Sequence, residues 1–394
     1  MQDVTPKLPN QRKKVLSIIT LCLIAISLSL FFYWWKWGRF DEYTDDAYVT
    51  GNLVYVTPQV SGIVTSIYAD NTWYVEKGQI LIQLDPTDYI LKLEKAKFHL
   101  AQTVRSVAKL FSQTRQAKAQ IQISKSTFIK SAEDYERREI LINSGSVSQE
   151  DLTHSIAALT SSYFALISAE QNYFSLLAQV ENTTISTHPL VQEASQILKT
   201  AWVDLKRCTI EAPSSGLIAQ RSAQVGEKVE PAEPLLAVIP LEEIWVEANF
   251  KENQIGSMEI GQKATIHTDI YGRSVVYEGE VVGIGGGTGS IFSILPPQNA
   301  TGNWIKIVQR VPIRISLPED MLLQYPLRLG LSTEVHVDIH PLEHPMNPKT
   351  ALSTPLYTTP IFLKEEEGVD TVIETIIQTN MPSLDLSSSE LGEM

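Results

Sequence analysis

Hydrophobic positions along this chain follow three periods in succession. Residues 15–35 are 21 positions without a charge, which as a helix at about 1.5 Å per residue matches a hydrocarbon core of roughly 30 Å. A transmembrane helix is therefore predicted over 15–37. Between 87 and 207 the step becomes seven residues. Leu93, Leu100, Val107, Thr114, Ile121, Phe128 and Tyr135 form one series, with Ala96, Leu110 and Ala117 three positions on. A second series, Leu152, Leu159, Leu166, Tyr173 and Val180, follows Ser144-Gly145-Ser146, with Ile156, Tyr163 and Leu177 four positions after its members. Two coiled-coil seams joined by a turn predict an antiparallel helical hairpin with its tip near 143–148. No Gly or Pro occurs from 87 to 144, so the first helix, 86–143, reaches about 85 Å at about 1.5 Å per residue. Pro189 must interrupt the returning helix, because it has no N–H and its ring clashes with the preceding turn. On both sides of the hairpin, and from 241 to 340, strands are predicted, clearest at 311–317 and 334–340, where Val335, Val337 and Ile339 share a face.

The segments flanking the hairpin repeat one another. Residues 61–86 align without a gap to residues 215–240 at an offset of 154, and seven positions are identical: Ser61, Gly62, Ala69, Val75, Glu76, Leu81 and Pro86 match Ser215, Gly216, Ala223, Val229, Glu230, Leu235 and Pro240. Each copy reads as short strands broken by turns, half of a small sandwich. Together they resemble the two half-motifs of a biotinyl or lipoyl domain, in which a tight hairpin bears the modified lysine. Here about 120 residues replace that hairpin, so the carrier site is lost and no cofactor is expected. Lys77 and Lys228 read as solvated turn residues.

Charge and chemistry narrow the function classes. The formal net charge of −13 is uneven: residues 1–40 carry one Asp against six Lys or Arg, and residues 341–394 carry nine acids against two bases. Nucleic acid is not an expected partner. Arg12, Lys13 and Lys14 precede the apolar run, Asp41, Glu42, Asp45 and Asp46 follow it, and Tyr33, Trp34, Trp35 and Trp37 form an aromatic belt at its end. This asymmetry predicts an uncleaved anchor with a cytoplasmic N-terminus at 1–14. The two cysteines, Cys22 and Cys208, form neither a disulfide framework nor a metal site. His336 and His340 share one face of a predicted strand without the partners of a designed metal site. GIGGGTGS (283–290) lacks the ending of a phosphate-binding loop and reads as a flexible loop. No arrangement of nucleophile and base is apparent, so catalytic and metal residues are both assigned as none, and a structural rather than enzymatic role is expected.

The order of these segments, together with TDDAYVTGN (44–52), LDPTDY (84–89), IWVEANFKENQI (244–255), TDIYG (268–272) and GTGSIFSILPPQNATGNWIKIVQRVPIRI (287–315), resembles the membrane fusion proteins, periplasmic adaptors of multidrug and type I exporters. The resemblance covers roughly 44–339. It implies a mixed α and β, multidomain fold: a transmembrane helix, a split lipoyl-like β-sandwich (44–86 and 208–240) interrupted by the α-helical coiled-coil hairpin (87–207), then a small β-barrel (241–340). The acidic tail, 341–394, falls outside the resemblance and is read from its composition as largely disordered, although 371–379 suit a short amphipathic helix.

The resemblance further implies a tripartite multidrug efflux pump. Its partners would be an inner-membrane major facilitator drug:proton antiporter and a TolC-like outer-membrane channel, with small hydrophobic drugs as cargo and self-association into an oligomer. Bulk of the chain in the periplasm follows. At the hairpin tip of such adaptors an Arg, a Leu four residues on and a Ser seven beyond that meet the channel, and Arg137, Leu141 and Ser148 match that spacing. Read from the residues alone, the same three are a solvated charge, a seam residue and a helix N-cap. A type I protein secretion adaptor, serving an ATP-driven transporter, would use the same domains.

Overall fold

The computed structural model describes residues 11–36, 38–292, 308–343, 346–348, 350 and 353–382. Residues 1–10, most of 287–315 and the end of the tail from 383 thus lie outside the described residues. The first element, α1 (Gln11–Lys36), contains the 18-residue window Val15–Phe32, long and apolar enough to cross a membrane and with no part of it buried. Within that window the side chains are exposed, as a lipid-facing helix requires.

A strand, β1 (Asp41–Gly51), follows at once. Then come β2 (Val54–Val56), β3 (Gly62–Ile67), β4 (Tyr74–Val75) and β5 (Ile80–Leu84), before α2 (Thr87–Ile142), α3 (Gln149–Val180) and α4 (Pro189–Lys206). The chain continues through β6 (Thr209–Glu211), β7 (Gly216–Ile218), β8 (Lys228–Val229) and β9 (Leu236–Ile239). Last are β10 (Ile244–Lys251), β11 (Lys263–Thr268), β12 (Gly272–Ile284), α5 (Gly289–Phe292), β13 (Arg310–Ser316), α6 (Glu319–Gln324), β14 (Ser332–Asp338) and α7 (Val369–Asn380).

The repeat builds a sandwich with internal two-fold pseudosymmetry. One sheet has the order β2-β9-β7-β4 and the other β6-β5-β3-β8, so each sheet mixes strands from both halves, and the 154-residue offset converts one order into the other. The registers agree residue by residue: Tyr74 and Val75 pair with Leu217 and Gly216, as Lys228 and Val229 pair with Ile63 and Gly62. Ala69, Val75 and Leu81, and their counterparts Ala223, Val229 and Leu235, are all buried in one core. Backbone strain obeys the same symmetry. Thr72 and Gly226 both have positive φ, as do Gly78 and Ala232, so each half solves one of its two left-handed turns with glycine and the other without.

The barrel closes in the order β1-β10-β13-β12-β11-β14. This corrects two predicted boundaries, because residues 41–51 belong to the barrel and not to the sandwich. The strand fills the gap between β10 and β14, with Ala47 opposite Ala248 on one side and Thr44 opposite Val335 on the other. Without it two edges would expose unpaired backbone groups. TDDAYVTGN and IWVEANF are thus neighbours: the Thr44 hydroxyl donates to the Asn249 carbonyl at 3.0 Å, and Asp46 bridges to Arg310 at 2.9 Å. The barrel interior holds Phe250, Ile266, Ile313 and Tyr277, whose hydroxyl donates to the Tyr325 carbonyl and whose phenol burial pushes up to about 12. The glycine-rich segment is partly built into this ladder, since the Gly285 N–H donates to the Pro312 carbonyl at 2.8 Å.

α2 is one uninterrupted 56-residue helix, and the return path breaks between Val180 and Pro189 as the proline demands. The first seam holds, with Leu93, Ala96, Leu100, Val107, Thr114 and Ala117 buried. The second differs from expectation. Ser155 and Ser162, three positions after Leu152 and Leu159, are the buried residues of this seam, whereas Ile156 is exposed and the half-exposed Tyr163 sets its ring 5.8 Å from Phe128 of α2. Small side chains let α3 approach α2 closely, and each hydroxyl is satisfied by a carbonyl three residues back, Leu152 or Leu159.

The tail departs furthest from expectation. Its composition reads as largely disordered, with a short amphipathic helix suited to 371–379; α7 forms over Val369–Asn380 and buries Val369, Ile373 and Ile377 against α2 and α4. Apolar residues recurring every four positions mark that helix within an otherwise polar stretch, and α2 supplies the surface that makes so short a helix stable.

A Cβ on Gly216 would lie 2.2 Å from the Ile239 carbonyl oxygen. Gly216→Ala is therefore expected to destabilise the sandwich by about 1–3 kcal/mol through forced backbone separation. Ala232→Gly, relieving a left-handed alanine, is expected to stabilise by up to about 1 kcal/mol. Thermal unfolding of both variants checks the pair, and a neutral Gly216→Ala would refute the close approach.

Candidate functional site at the hairpin tip

The three residues singled out by spacing all fall at the distal end of the hairpin. Arg137 and Leu141 lie one turn apart on the last stretch of α2, on the same helical side. Arg137 is solvent-exposed and pairs with Asp134 at 3.5 Å with i,i+3 spacing; such a surface pair binds weakly and leaves the guanidinium available. Leu141 is exposed rather than in the seam. Beside it Ile140 is also exposed, so the tip presents an apolar surface next to a cation.

The chain reverses through Asn143, which caps α2, and Gly145, whose φ of +71° glycine adopts without steric cost. Ser144 closes the turn by donating to the Leu141 carbonyl at 2.7 Å. Ser148 then opens α3 with a capping box: its hydroxyl accepts from the Asp151 N–H at 3.1 Å and donates to Asp151 Oδ2 at 2.6 Å, while the Ser148 N–H points at the same carboxylate. Ser148 is thus the N-cap that its residue type allowed, and its hydroxyl is engaged within the turn. Arg138 ties the two helices by donating to the Asp151 carbonyl at 3.2 Å.

Asp151 and Arg138 were not among the residues selected from sequence. Ser-Gln-Glu-Asp (148–151) carried the signal for the first, as a Ser followed three positions later by an acid. Nothing local signalled Arg138, whose partner lies across the turn.

Elsewhere, among the described residues, no group of three or more His, Cys, Asp or Glu side chains is arranged to hold a metal. His336 and His340 instead pair separately with Asp41 and Asp338, and His340 stacks on Phe40, fastening the end of β14 to the segment leaving α1. Cys208 is buried, and that burial pushes its thiol up to about 11.

Known proteins share this layout over nearly its whole length. Across 380 residues the chain is 42% identical to the multidrug export protein EmrA of Escherichia coli (strain K12), covering 95% of this chain and 97% of that one. The chain belongs to the EmrA family. It is also 40% identical over 364 residues to the fatty acid resistance protein FarA of Neisseria gonorrhoeae, covering 92% of each. Residues 87–208 match the family described as EMRA, alpha-helical hairpin domain. A solved structure of the periplasmic adaptor protein EmrA aligns with 22% identity and a TM-score of 0.38, over 76% of this chain and 98% of that one.

In this EmrA-family chain the tip's shape depends on one serine. Its hydroxyl first, and its N–H second, hold the Asp151 carboxyl below the ordinary carboxylate range. A depressed acid stabilises the fold above its unfolded value of about 3.9, and that stabilisation is lost as pH falls through the folded value. Ser148→Ala is expected to raise the Asp151 titration midpoint toward the ordinary value and to weaken the start of α3 by about 1 kcal/mol. Carboxyl titration by NMR with selectively labelled aspartate measures the first effect, and an unmoved midpoint would remove Ser148 from the cap.

Proposed function

We propose that this chain is the inner-membrane-anchored adaptor of a tripartite multidrug efflux pump. The observation that carries the reading is the hairpin: α2 leaves the sandwich at Thr87 and runs 56 residues, about 84 Å at about 1.5 Å per residue, to a tip that exposes Arg137 and Leu141. A rod of that length with an anchor helix at the other end of the chain suits a protein that bridges two membranes. The relatives' names, multidrug export and fatty acid resistance, support hydrophobic small molecules as the cargo.

On this reading α1 crosses the inner membrane with the basic residues Arg12, Lys13 and Lys14 on the cytoplasmic side. Its neighbour there is a major facilitator drug:proton antiporter, and the tip meets a TolC-like outer-membrane channel. The Arg137 guanidinium offers charged hydrogen bonds to carbonyl or carboxylate oxygens of that channel, and Leu141 an apolar contact. Ser148 contributes by holding the turn in shape through its cap. One hairpin cannot enclose a path, so identical copies assemble around the conduit.

Arg137→Asp is expected to abolish export while leaving membrane level and melting temperature unchanged, because the exposed side chain supports no core. Retention of a fluorescent hydrophobic compound by cells reads the outcome, and wild-type efflux by that variant would end the tip assignment. In a strain lacking the gene, drug retention should rise and protein delivered to the medium should stay constant. The opposite pattern would move the chain to protein secretion with an ATP-driven transporter.

A further inference from the structure

Beyond β14 the chain crosses every domain in turn. The Leu342 N–H donates to Glu259 and the Met346 N–H to the Ile260 carbonyl, both on the barrel. The Thr358 carbonyl accepts from Lys77 Nζ at 2.9 Å, in a sandwich turn. Glu365, with a side chain only 14% exposed, pairs with Arg207 at 2.9 Å. Arg207 caps the C-terminus of α4, where the hairpin passes back into the sandwich. Gly368, at φ +87°, turns the chain into α7 beside the Trp202 ring. On α7, Asp370 pairs with Lys199 at 2.7 Å, Asn380 accepts from Arg105 at 3.0 Å, and Val369, Ile373 and Ile377 bury against Leu100, Val104, Val107 and Leu198.

The hairpin joins the sandwich at two covalent crossings, Pro86 before α2 and Arg207 after α4, and beside them Tyr89 and Leu205 pack into the sandwich core while the Tyr89 hydroxyl donates to the Ser61 carbonyl at 2.6 Å. Two crossings define an axis about which a rod of this length can swing, and a swing of a few degrees at the base moves the tip by several ångströms. A third attachment away from that axis removes the freedom. We propose that the tail segment 356–381 is a brace that fixes the direction of the hairpin relative to the sandwich, with Glu365 and the α7 face of Val369, Ile373 and Ile377 as its positioning residues. The brace goes beyond the efflux reading and does not depend on what the tip meets, so its test is spectroscopic and independent of export.

Nitroxide labels at Ser126→Cys on the hairpin and Gln220→Cys on the sandwich, both exposed positions, report the angle by pulsed EPR. The background is the full chain with Cys22→Ser, diluted with unlabelled protein to suppress distances between copies. Relative to the unaltered tail, Ile373→Glu with Ile377→Glu, and separately a chain ending at Pro360, should each broaden the distance distribution about twofold or more, as expected when a locally stable contact is opened. A distribution as narrow as the parent's in either folded variant overturns the brace. Should neither variant accumulate, the charge swap decides. Arg207→Glu and Glu365→Arg should each broaden the distribution and their combination restore it, whereas narrow distributions in both single variants overturn the proposal.

Discussion

The exchange of strands between the two half-motifs is the constraint on which the remaining architecture rests. In the sheet β2-β9-β7-β4 the two central strands come from residues after the hairpin and the two outer strands from residues before it, and in the other sheet the origins are reversed. Val75 and Leu81 become buried only when Val229 and Leu235 arrive, and the converse holds. A layer with one apolar face has to find its complement, and here the complement lies 154 residues away. Joining the halves therefore sets both ends of the hairpin side by side.

The same nesting recurs one level out. β1 precedes the sandwich and the other five barrel strands follow it, so the sandwich and the barrel share the junction where Gly51 pairs with Ile244. Insertions of this kind are tolerated because the cost of closing a loop grows slowly with its length, and a stiff antiparallel hairpin presents its two ends already adjacent. The hairpin can thus be long without loosening the domain that carries it. Its length is what the proposed adaptor role uses, and the seam packing of Ser155 and Ser162 against α2 keeps the two helices close enough to act as one rod.

At the tip the chemistry is divided between residues that shape the turn and residues that face outward. Ser148, Asp151, Gly145 and Arg138 are engaged with one another or with the backbone, and Arg137 and Leu141 are not. That division follows from the physics of a helix end, where the free N–H groups at the start of α3 take Ser148 as their cap while side chains on the outer face of α2 stay exposed.

Patterns that depend on near neighbours were legible without coordinates. The anchor follows from 21 uncharged residues, the hairpin from the seven-residue step and the absence of Gly and Pro, the break from Pro189, and the Ser148 cap from residue type. The 154-residue repeat announced a divided sandwich because equivalent positions need the same residue types to fill one core. What only the tertiary structure decided has a common physical cause, the choice of partner across a long separation. The resemblance counts residues 44–51 with the sandwich, but the edges of β10 and β14 assign 41–51 to the barrel. Leu152 and Leu159 announce a seam, but the facing helix buries Ser155 and Ser162 rather than Ile156, and keeps Tyr163 at its edge beside Phe128. The tail is polar enough to read as disordered, and α7 exists because α2 and α4 leave an apolar groove of the right width for Val369, Ile373 and Ile377. Local periodicity specifies which elements form, and the burial that makes a particular pairing favourable is a property of two surfaces, of which the sequence window shows one.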